Sequence, residues 1–69
     1  MNLGSRIRQA RVSAGLSVQN VSVTVGVSRN AVYKWERGEV APRQSILIKL
    51  ARLFGVDMDF FFREVHVEM

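Results

Sequence analysis

Cysteine is absent from the 69 residues, so neither a disulfide nor a thiolate metal site can support the fold. Nothing in that composition argues for an oxidising compartment. Histidine occurs once, as His66 near the end, which leaves a Ser/His/Asp arrangement no good place. No His, Cys or carboxylate cluster has metal-ligand spacing, and no glycine-rich loop follows a strand. Asp57 and Asp59 are better explained as helix-start residues, where the dipole favours Asp, than as a general acid-base pair. Neither an enzyme nor a metal- or cofactor-dependent protein is expected, and no small-molecule ligand is evident. No apolar run approaches the roughly 20 residues of a membrane span. No basic-then-apolar leader opens the chain, so the expected setting is a cytosol.

Acidic residues are scarce in most of the chain. Residues 1–52 carry nine Lys and Arg against Glu36 and Glu39, a balance of +7. Residues 53–69 carry Arg63 against Asp57, Asp59, Glu64 and Glu68, a balance of −3. A basic body with an acidic end suits a polyanionic partner for the body, although a solvated basic surface fits the charge equally well. Charge alone does not decide. A chain of this length forms one domain near the lower limit for an unaided core, and that core must come from packed apolar side chains.

Apolar spacing gives several short helices. Leu3, Ile7, Ala10 and Ala14 recur at three- and four-residue intervals, with Gly15 to end the helix and Leu16 to fold back on it. Ser17 can cap a second helix. From there Val21, Val23, Val25 and Val27 alternate with Ser22, Thr24 and Gly26, which taken locally reads as a strand. The caps and glycines around it favour a helix over residues 18–25, and that is the expectation. Pro42 marks a turn. Leu47, Leu50, Ala51 and Phe54 form an inward stripe ended by Gly55. Asp57 can cap a last short helix with Phe60, Phe61 and Phe62, and residues 65–69 are a tail or a strand.

Residues 26–38 are the most informative stretch. Ser28 stands where an N-cap belongs and Gly38 where a left-handed residue would close the helix. Val32 and Trp35 fall on one side, and Arg29, Asn30, Tyr33 and Lys34 on the other. A helix with one hidden face and cations, an amide and a phenol on the other suits the edge of DNA.

The ordered set Arg6-Ile-Arg-Gln-Ala-Arg11, Gly15-Leu-Ser17, Gly26-Val-Ser28, Val32-Tyr-Lys-Trp-Glu-Arg-Gly38, Pro42, Leu50-Ala51 and Gly55-Val56 resembles the Cro and phage-repressor type (XRE-like) helix-turn-helix domains over about residues 3–62. That resemblance implies an all-α, compact five-helix bundle spanning residues 1–64, with residues 65–69 as a C-terminal tail. It also implies that the third helix enters the major groove. Arg29, Asn30 and Lys34 match base-reading positions: Arg or Lys suits guanine O6 and N7, and Asn suits adenine N6 and N7. Tyr33 is placed at the groove wall, on a phosphate or a thymine methyl. Ser28, Arg37 and Arg43 lie near the backbone. Val18 stands where the family most often has a phosphate-clamping Gln, and the neighbouring Gln19 is the candidate substitute. Ser22 replaces the usual Ala, so its hydroxyl needs a partner.

The resemblance further implies an ion pair between Arg11 and Glu36 that ties the first helix to the third. Three successive aromatics, Phe60, Phe61 and Phe62, cannot all face one core, and within the family the end of the domain often serves dimerisation. The residues around the tail also resemble a junction in longer regulators, where such a domain precedes a metallopeptidase-like one. The functional expectation is a homodimeric transcription regulator of the repressor kind, bound to duplex DNA. A protein-interaction module of the antitoxin type, with DNA binding secondary, is the alternative.

Overall fold

Short polar side chains start four of the five helices, and left-handed glycines follow four of them. In this computed structural model, which describes residues 2–63, the elements are α1 (Leu3–Ser13), α2 (Val18–Val25), α3 (Arg29–Arg37), α4 (Gln44–Phe54) and α5 (Met58–Phe62). Asn2, Ser17, Ser28 and Asp57 each accept a bond from an amide three residues on. Asn2 with Ser5, and Ser17 with Asn20, complete reciprocal capping boxes. Gly26, Gly38 and Gly55 take positive φ at the helix ends, where a Cβ would be strained. The expected tail at residues 65–69, with His66, lies outside the described residues.

The valine-rich segment is helical. Val18, Val21, Ser22 and Val25 are buried, a spacing of three and four that the two-residue alternation concealed. Of the alternating valines, Val21 and Val25 are in the core, Val27 is partly buried against it, and Val23 is 70% exposed. Ser22 finds its partner inside the helix: its hydroxyl donates to the Gln19 carbonyl at 2.9 Å. No strand is present among the described residues.

The core draws on every helix: Ile7 from α1, Val21 from α2, Val32 from α3, Leu50 from α4 and Phe61 from α5 are the most completely buried large side chains. Two α1 residues shape this packing in ways the sequence pattern did not reveal. A Cβ added at Gly4 would lie 2.5 Å from the Trp35 carbonyl oxygen and 2.7 Å from that of Glu36. Glycine is therefore what lets α1 rest on the end of α3. Arg6 is buried, with its guanidinium 4.0 Å from the Phe60 ring centroid. Its Nε donates to the Phe60 carbonyl at 2.9 Å, so a cation covers the C-terminal end of α5.

Arg11 and Glu36 form the expected pair. Arg11 Nε lies 2.6 Å and Nη2 3.2 Å from the two carboxylate oxygens, and Nη1 donates to the Leu16 carbonyl at 2.9 Å. The side chains retain only 11% and 6% of their exposure. This two-point contact, together with the burial of Val32 and Trp35, holds the rotation of α3 about its axis.

Candidate nucleic-acid interface

Because Val32 and Trp35 are held in the core, the opposite side of α3 must face solvent. Arg29, Asn30, Tyr33, Lys34 and Arg37 are all exposed there. The helix begins sharply, since the Ser28 hydroxyl accepts the Ala31 amide at 3.1 Å. It ends as sharply, with Gly38 at φ 79° and the Glu39 amide donating back to the Lys34 carbonyl at 2.9 Å. Nine helical residues give about 13 Å of length, enough to lie along the floor of a major groove.

The remaining expected residues lie on neighbouring elements. Gln19 is exposed in the first turn of α2, the helix that packs against α3. Val18 beside it is buried in the core and has no outward role. Arg43 is exposed at the N-cap of α4. Unlike the other N-caps it makes no side-chain cap bond, because a guanidinium has no acceptor. The Ile46 amide donates to the Arg43 carbonyl at 3.0 Å, which leaves the Gln44 and Ser45 amides for an external acceptor, beside a cation, an arrangement that favours an anion.

Arg37 has a partner that the sequence reading did not foresee. Its Nε lies 2.6 Å from Glu39 Oε2, with both side chains about half exposed at 54% and 49%. The hydrogen bond, reinforced by the opposite charge, holds the Arg37 pKa above its ordinary value and the Glu39 carboxyl below the usual carboxylate range. In the sequence the two stand as a cation and an anion on either side of the closing glycine, a spacing that by itself does not bring them together.

The aromatic run divides by burial. Phe61 is 2% exposed and fills the core, which removes it from the expected dimer face. Phe60 is partly buried beneath Arg6 and meets Phe61 edge-on at 6.0 Å between centroids. Phe62 alone of the three stands largely free, 58% exposed. Helical geometry explains the division, since three consecutive residues point in three directions about 100° apart. Among the described residues, no three His, Cys, Asp or Glu side chains gather as a metal site, and no helix is long and apolar enough to cross a membrane.

A family model described as helix-turn-helix matches residues 7–61. The chain is 40% identical over 55 residues to an HTH-type transcriptional regulatory protein of Pyrobaculum aerophilum, an alignment covering 80% of this chain and 22% of that one. It is 32% identical over 65 residues to the SPbeta prophage-derived HTH-type transcriptional regulator YonR of Bacillus subtilis strain 168, covering 94% of this chain and 60% of that one. It thus spans less than two thirds of either relative. Among solved structures, the P22 c2 repressor protein in complex with synthetic operator 9T superposes with a TM-score of 0.81 at 30% identity, over 88% of this chain and 92% of that one.

Proposed function

The chain belongs to the helix-turn-helix family, and we propose that it is a cytoplasmic, sequence-specific DNA-binding transcription regulator that represses by occupying an operator. The observation that carries this reading is the outward face of α3: Arg29, Asn30, Tyr33 and Lys34 exposed together on a helix whose rotation is fixed by Trp35, Val32 and the Arg11–Glu36 pair. Fixed rotation is what base reading requires, because a bidentate contact tolerates little angular error. The likeness to a repressor structure containing an operator supports it.

In this reading α3 lies in the major groove. Arg29 and Lys34 donate to guanine, and Asn30 makes a paired bond with adenine. Tyr33 meets the groove wall. Ser28, Gln19, Arg37 and Arg43 hold phosphates, with the Gln44 and Ser45 amides at the start of α4 assisting Arg43. The exposed Phe62 ring supports pairing of two copies through the α5 end, which would set two reading helices against two half-sites.

Base and phosphate contacts have different signatures, which provides the test. Arg29→Ala is expected to lower discrimination at one base position by about 1–3 kcal/mol. Arg43→Ala is expected to weaken all duplexes alike and to flatten the salt dependence by about one phosphate contact. Anisotropy titrations of both variants with matched and mismatched duplexes measure this. Unchanged affinity in both would instead favour a protein-interaction module.

A further inference from the structure

Glu39 is oddly placed for a surface that meets phosphates. Glu36 and Glu39 are the only carboxylates in residues 1–52, and Glu36 is buried against Arg11, so Glu39 is the exposed one beside α3. Its backbone is fixed by the cap bond from its amide to the Lys34 carbonyl. From there its side chain reaches Arg37, and the Lys34 charge also acts on it.

We propose that the Glu39 carboxylate stands in for a phosphate on Arg37, holding the guanidinium in the free protein and yielding it when a duplex docks, so that Glu39 limits the affinity of this face for DNA of any sequence. This rests on the DNA-binding reading above. Carboxylate and phosphate both present oxygens that an arginine fork can grip, so the two compete for one partner. An exposed pair of this kind is weakly held and can be exchanged readily. The exchange has a consequence for ion release. When phosphate displaces Glu39, the freed carboxylate attracts a cation again, and the contact gives little net counterion release. With glutamine at the position, Arg37 meets the phosphate with its full charge.

The test uses the full chain as wild type, Glu39→Gln, Arg37→Ala and the double variant, each checked by circular dichroism. Each is titrated with a random-sequence duplex between about 50 and 200 mM salt. Glu39→Gln is expected to tighten binding at the lowest salt by about threefold or more and to steepen the log–log salt slope by about 0.9. In the Arg37→Ala background the same change is expected to leave the slope unaltered, because no guanidinium remains to be released. If wild type binds while Glu39→Gln changes neither affinity nor slope, the exchange is wrong and the DNA-binding reading stands. Equal steepening in the Arg37→Ala background also overturns it, since removal of a negative charge would then suffice. If none of the four proteins retains any duplex, the DNA-binding reading fails and the exchange fails with it.

Discussion

A glycine inside a helix is ordinarily a small loss, yet at Gly4 the backbone of α3 leaves no room for anything larger. The atoms that a Cβ would meet most closely are two backbone carbonyl oxygens, which cannot swing aside as a flexible side chain can. Gly4→Ala is therefore expected to destabilise by about 1–3 kcal/mol through overpacking, against the roughly 1 kcal/mol that alanine normally gains over glycine in a helix. Denaturant unfolding measures the sign directly, and a stabilised variant would show that α1 and α3 approach less closely than described. Gly4 and Arg6 also mark where residue-level reading stops. Their roles depend on Trp35, Glu36 and Phe60, far away in sequence, and nothing in the local pattern of α1 identifies those neighbours. Ser17, Ser28, Asp57 and the closing glycines were legible because a cap acts on amides only a turn away. The Arg11–Glu36 pair came through family resemblance, as two opposite charges 25 residues apart carry no local signal.

Among the elements, α2 shows how a helix can be built from residues that prefer strands. Its four valines restrict χ1, so local propensity works against it. The capping box at Ser17, the left-handed Gly26 and the burial of Val18, Val21 and Val25 outweigh that cost. Val23 lies outside this compensation, exposed in mid-helix. Val23→Ala is expected to raise stability by about 0.5 kcal/mol in thermal or denaturant unfolding. A loss would mean that Val23 packs against something, such as a second copy of the chain. Element α3 was legible almost entirely, since its hydrophobic side, cap and closing glycine coincide in one short window. The Arg37–Glu39 contact was not, because two residues that straddle a left-handed glycine have no fixed relation until the turn is known.

For the whole molecule, the small core has no disulfide to assist it, and each helix contributes a buried plug. The same framework leaves α3 with one free face, and that face carries Arg29, Asn30, Tyr33 and Lys34, all exposed. Five helices and their order were accessible from spacing together with resemblance. The division of the phenylalanines was accessible only in part, since the sequence required one of them to be exposed without saying which. The central claim is that α3 reads bases, and that two copies do so together. Selection of bound duplexes from a random pool tests it most directly. The account predicts a palindromic consensus, with guanine and adenine in each half-site and half-site centres about one helical turn, roughly 34–36 Å, apart. A recovered pool with no base preference over the starting one would contradict it.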